Sequence, residues 1–193
     1  MEKATQVLEH EQRIIRKVLT VMAHIFEQLE TRRTVDADLL RDVLQFMRIF
    51  CDQCHHGKQQ SYLFPLLESK GMPTTGCPIT DLKGEHQKGR LLTGELSLAC
   101  STYIANQGTG RLRLMQALQG LVTLYAAHMW KEEYFLLPMA DKLLSAEDHE
   151  LLVHQFRAAE SDIGVDAHCA YEELAEDLQK RVGLSEQCLH RAA

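Results

Sequence analysis

The chain has 193 residues, 45% of them apolar, which suits a single domain with a core of ordinary size. Its 27 acidic side chains outnumber 21 lysines and arginines, and the resulting formal charge of -6 argues against nucleic acid as a partner. The stretch Met1 to Val7 carries Glu2 and Lys3 and no apolar signal core, and no apolar run is long enough to span a bilayer, so the expected location is cytoplasmic, away from membranes.

In chain order, Leu8, Ile15, Val18, Met22, Ile25 and Leu29 follow the helical period and predict a first helix from about Thr5 to about Thr31. Asp36 is placed to cap a second, with an apolar seam of Leu40, Val43, Met47, Phe50 and Cys54, bent near Pro65 and stopped by Gly71. Gly71, Pro73, Gly76 and Pro78 mark a loop. Thr80 then caps a third helix, whose stripe of Leu82, His86, Gly89, Thr93, Leu96 and Cys100 runs toward an end between Asn106 and Gly110. A fourth is expected over about Leu112 to Leu144, bent at Pro138, with Leu118, Leu121, Val122, Tyr125 and Met129 inward. Ser145 and Asp148 form a capping pair for a shorter helix to about Ala159, and Asp166 opens a last one to about Arg181. These elements predict an all-α fold: an antiparallel up-down four-helix bundle over residues 1–144, with two additional helices over residues 145–193 packed on it in the same domain.

An internal match carries the functional reading. HHGKQQSYLFP from His55 and HMWKEEYFLLP from His128 align His55 with His128, Lys58 with Lys131, Gln59 with Glu132, Gln60 with Glu133, and Pro65 with Pro138. Positions i and i+4 share a helix face, so His128 and Glu132 aim at one buried point, and His86 on the inward stripe adds a second imidazole. Two histidines and a carboxylate are the donor set of many Fe(II) centres. A lone histidine on an apolar stripe is more often a hydrogen-bonded core residue than a ligand. Several inward histidines plus an inward acid, however, need either a metal or a dense hydrogen-bond network to satisfy them. Met129, Tyr62, Tyr125 and Phe135 read as core packing, and Glu172 to Arg181 as a solvated helix face.

At these residues the chain resembles the hemerythrin-like HHE family, in its longer bacterial form with a C-terminal helical extension. The similarity lies in EQRIIRKVL from Glu11, CHHGKQQSYLFP from Cys54, GCPITDLKGEHQKGR from Gly76, HMWKEEYFLLPMAD from His128, and a looser tail through His168 and Tyr171. It implies non-haem iron, one or two ions, held in a bundle by a His, HxxxE, His, HxxxE pattern, with a small diatomic molecule or peroxide as the ligand. His55, His86, His128 and Glu132 match that pattern. Gln12, Gln59 and Gln60 stand where the family has His, Glu and Glu. A neutral amide is a far weaker donor than a carboxylate, so the first metal position is weakened. His10 and Glu11 are nearby candidates to compensate, and Glu11 reads first as a buried acid paired with Lys58.

Residues 51–55, Cys-Asp-Gln-Cys-His, also have the C-x-x-C-H spacing of covalent haem attachment, with His55 as axial ligand, although no secretion signal accompanies them. Cys51 and Cys54 could instead form a redox-active pair. The other cysteines, Cys77, Cys100, Cys169 and Cys188, are expected to be reduced thiols without chemistry. Three functions therefore compete: an iron protein that binds or senses dioxygen, peroxide or nitric oxide; a haem-linked or thiol redox sensor at Cys51, Cys54 and His55; and a metal-free interaction module. No catalytic residue is legible, and nothing in the sequence identifies a protein partner.

Overall fold

A computed structural model describes residues 2–73, 75, 78–164 and 166–184, and among them all regular structure is helical. Helix α1 is Ala4–Glu30. Helix α2 is a continuous rod over 37–69, built from α-helical Ala37–Phe46, π-helical Met47–His56 and Gln59–Leu63, and α-helical Phe64–Ser69. Helix α3 is Pro78–Ala105. Helix α4 covers 107–143, with a π-helical turn, Glu132–Leu136, between α-helical Gln107–Lys131 and Leu137–Leu143. Helices α5, Ala146–Ile163, and α6, Ala167–Arg181, follow.

The local chemistry explains most of these limits. The Asp36 side chain accepts from Asp38 N and starts α2. Ser145 and Asp148 cap each other at the start of α5, at 3.2 and 2.9 Å. Two boundaries differ from expectation. Helix α3 begins at Pro78, because proline suits a first helical turn whose N–H groups have no partner, and Thr80 falls inside that turn. The expected break from Asn106 to Gly110 shrinks to Asn106 alone, whose side chain accepts from Gly108 N and Thr109 N and restarts the helix at once. Gly110 is needed there, since a Cβ would strike the Tyr103 backbone. Pro65 and Pro138 do not end their rods. Each follows a π-helical turn, where the wider backbone spacing accommodates the missing N–H.

Helices α1 and α4 run in opposite directions, as do α2 and α3, whereas α6 runs alongside α1 in the same direction. Between α1 and α4, Thr5 Oγ1 reaches Asp141 at 2.8 Å, Gln12 reaches Glu132, and Arg111 reaches Leu29 O at 2.9 Å. Between α2 and α3, Lys83 meets Glu68 at 2.7 Å and Arg90 meets Asp52 at 3.2 Å. Helix α6 lies against α1 and α2, burying Ala175 and Leu178, and Arg181 ties it to Asp42 at 2.6 Å. Its charged stretch is otherwise largely exposed, as expected of a solvated face.

The apolar interior is divided. One cluster contains Ile14 to Leu29 of α1, Leu39 to Cys51 of α2, Leu96 to Tyr103 of α3 and Leu114 to Met129 of α4. The other contains Ala4 and Leu8, Leu63 to Met72, Ile79 and Leu82, and Leu136 to Phe156. On every long helix the gap between them is where the polar candidates sit: Glu11 and Gln12, His55 to Gln59, His86, and Glu132. Burial of apolar surface on both sides therefore fixes a polar layer across the middle.

Candidate metal centre

The layer has two halves. In the α3–α4 half, His86, His128 and Glu132 are each at most 1% exposed. His128 and Glu132 are one turn apart, and His128 Nε2 lies 2.9 Å from Glu132 Oε1 without the alignment of a hydrogen bond. The opposite nitrogen, Nδ1, lies 3.0 Å from Glu85, which Lys131 also contacts, so a carboxylate outside the layer orients the ring. Neither nitrogen of His86 has a partner. Burial, reinforced by His56 and His128, pushes the His86 pKa far below its ordinary value and keeps the ring neutral. Burial opposes the charge on Glu132 as well, but His128 and His55 overcome it and hold the carboxyl well below its usual range. Tyr125 closes the side of this half, its ring 5.9 Å from that of His128, and its hydroxyl occupies the space a Cβ on Gly89 would take.

The residue that joins His86 and His128 is His56. Its ring stacks on His86 at 4.0 Å between centroids and meets His128 edge-on at 5.3 Å. One nitrogen from each of the three rings lies within 4.8 Å of the others. Each of the three rings has a buried nitrogen with no hydrogen-bond partner, as a metal ion needs; burial keeps His56 and His86 neutral, whereas Glu132 and Glu85 outweigh burial at His128 and raise its pKa. This donor set fits the metal that the sequence pattern implies.

In the α1–α2 half most buried polar groups pair with one another, although Gln59 Oε1 has no hydrogen-bond partner, and Glu11, Cys54 and Glu160 bring potential ligand atoms within 4.8 Å of one another. Glu11 accepts from His55 Nδ1 at 2.9 Å and from Lys58, and His168 Nε2 of α6 lies 3.5 Å away. Lys58 also pairs with Glu160 of α5. Burial disfavours the Glu11 charge, but His168, His55 and Lys58 outweigh it and depress its pKa strongly. Gln12 Nε2 donates to Glu132 Oε2 at 2.6 Å, and Gln59 Nε2 donates to Glu132 Oε1 at 2.7 Å. His55 Nε2 faces Glu132 at 3.4 Å and the Gln59 amide at 3.2 Å. Burial works against a charge on His55, but hydrogen bonds to Glu11 and Glu132 win and raise its pKa to about 9.

Of the sequence-derived candidates, His86, His128 and Glu132 come together, while His55 points to Glu11 and Glu132 and is not grouped with the other two imidazoles. Gln12 and Gln59 reach the layer as hydrogen-bond donors to Glu132. Glu11 takes the expected pairing with Lys58. His10 is on the surface, 3.3 Å from Glu172 and stacked near His168. Glu133, the acid aligned with Gln60, faces outward to Arg16. Phe135 is 45% exposed beside Trp130 and Tyr134, so it is not the core residue that the pattern suggested. Cys51 and Cys54 point apart, Cys51 3.9 Å from His56 Nε2 and Cys54 3.9 Å from Glu11. Burial pushes the Cys54 thiol to about 12 and Cys51 well up, which suppresses thiolate chemistry. Both sulfurs are packed inside the bundle, which does not suit attachment to a porphyrin. Cys100 is buried and Cys169 exposed, whereas Cys77 and Cys188 lie outside the described residues.

Sequence reasoning missed His56 and Glu85. A signal for Glu85 was present: Glu-Gln at 11–12 and Glu-His at 85–86 recur at an offset of 74, one residue more than the 73 between His55 and His128, and both glutamates orient the histidine of the following helix. The signal for His56 was weaker, since only the π-helical geometry of α2 turns two consecutive histidines inward.

Comparison with known proteins gives the family. The family model of the hemerythrin HHE cation binding domain matches residues 3–140. Uncharacterized proteins of Mycobacterium tuberculosis and Mycobacterium bovis are 24% identical over 157 residues, covering 81% of this chain and 61% of their own length. The chain thus spans about three fifths of the curated relatives it matches. No solved structure matches. Among the described residues, no helix is long and apolar enough to cross a membrane.

Proposed function

Because the chain belongs to the hemerythrin HHE cation-binding family, we propose that it is a non-haem iron protein, an antiparallel up-down four-helix bundle with two added helices, that binds or senses dioxygen, peroxide or nitric oxide. His86, His128 and Glu132 would hold the iron. The observation that carries this reading is His86: a fully buried, neutral imidazole with no partner at either nitrogen, beside a buried carboxylate. An iron ion would supply reversible one-electron chemistry and an open position for a small ligand. The protein's own residues supply the rest. Glu85 orients His128, Glu132 supplies the charge, and the two apolar clusters exclude bulk water and larger ligands.

The second metal position is closed in this reading. Gln12 and Gln59 direct amide N–H groups at the Glu132 oxygens, where a second ion would need negative charge. Metal analysis and an optical spectrum of the full chain, expressed with iron supplied, test the proposal. The expected result is about one iron per chain and no Soret band. A Soret band would select the haem reading, and absence of metal would select the interaction module.

A further inference from the structure

If the centre binds a metal as proposed, we infer that its third imidazole is His56 rather than His55, giving a single-ion site of three histidines and one carboxylate: His56, His86, His128 and Glu132. Both nitrogens of His55 are already engaged, Nδ1 with Glu11 at 2.9 Å and Nε2 with Gln59 and Glu132 at 3.2 and 3.4 Å. His56 is the opposite case. Its Nδ1 is buried without a hydrogen bond, with Asp52 3.6 Å away, and its Nε2 has only the Cys51 sulfur at 3.9 Å. It is His56 that brings a ring nitrogen within 4.8 Å of those of His86 and His128.

Backbone geometry explains the exchange. Consecutive residues of an α-helix diverge by about 100°, so only one of two adjacent histidines normally faces a bundle interior. Over Met47–His56 the rod is π-helical, and both His55 and His56 are 1% exposed. His55 takes the place that the repeat assigns it, facing Glu11 as His128 faces Glu85. His56, aligned with Met129 in the repeat, crosses to the α3–α4 half. A purely structural His56, stacked on His86, would leave its Nδ1 buried and unpaired.

Cobalt(II), titrated into the metal-free full chain, provides the probe, with His56→Ala, His56→Gln, His55→Ala and His55→Gln compared with wild type. The His56 variants should weaken cobalt binding by roughly tenfold or more and shift the ligand-field bands, whereas the His55 variants should keep the bands in place. Hyperfine-shifted imidazole N–H resonances give a readout independent of affinity: one should vanish in His56→Gln and all should persist in His55→Gln. Bands and resonances that change with His55 and not with His56 would overturn the inference while leaving the iron proposal standing. A wild type that binds neither cobalt nor iron would overturn both.

Discussion

In the α3–α4 half of the polar layer, Glu85 accepts from His128 and Lys131; in the α1–α2 half, Glu11 accepts from His55 and Lys58. The residue after each glutamate points into the layer, His86 in one half and Gln12 in the other, and the residue four after each histidine is Glu132 or Gln59. The outer supports are the same and the inner donors differ. If the α3–α4 half holds the metal as proposed, orientation of a histidine by a carboxylate is separable from metal binding: the α1–α2 half keeps the first and has hydrogen bonds to Glu132 in place of the second. Helices α5 and α6 reach only this half, through Glu160 and His168.

The largest effect that would break the comparison is at His128. His128→Ala should abolish most metal binding, exceeding the roughly 10–100-fold loss expected for an outer support, and full occupancy by metal analysis would refute the assignment. Equalising the halves comes next. Gln12→His with Gln59→Glu copies His86 and Glu132 into the α1–α2 half, and iron should rise from about one to about two per chain as the added carboxylate balances the second ion. Stoichiometry and oxo-bridge absorption after aerobic reconstitution would report it, and two irons in the wild type would end the distinction. Third, Lys58→Met strips Glu11 of a buried cation and should cost about 3–5 kcal/mol of stability, measured by denaturant unfolding of the metal-free chain. The equivalent change on the other side, Lys131→Met, removes a partly exposed lysine from a partly exposed Glu85 and should cost less than about 1 kcal/mol.

The smallest effect is on pH dependence. His55 has a folded pKa raised from 6.5 to about 9, so its contribution is complete below 6.5 and is lost as pH rises through about 9. His56 and His86 have depressed values, so stability falls as pH drops below 6.5 and the unfolded chain takes up protons. Metal-free protein should therefore be most stable near pH 6.5, and His55→Gln should flatten the alkaline limb. An unchanged limb would show that His55 is not a buried cation.

Much of this arrangement was legible in the sequence, because helical period and capping chemistry are local. The inward stripes of α1, α2 and α3 are buried as the spacing required, and the Ser145–Asp148 cap forms as its motif demands. His86, His128 and Glu132 could be read for the same reason: i and i+4 on an ordinary helix are reliable neighbours. His56 could not, because a π-helical stretch alters which residues share a face and carries no simple residue signature. The roles of Glu160 and His168 were equally hidden, since they depend on how α5 and α6 settle against α1 and α2.

The division of the interior into two apolar clusters also bears on how the molecule breathes. Each cluster is a packed unit of its own, and across the layer the contacts are polar, directional and dependent on charge. Sub-global opening tends to follow such seams, with each side retaining its packing. An ion bound at the α3–α4 half would cross-link α3 to α4, and through His56 to α2, at the level of the seam. Amide hydrogens on the flanking turns of those three helices would then exchange more slowly once metal is bound, while the fraying ends of the rods would exchange as before.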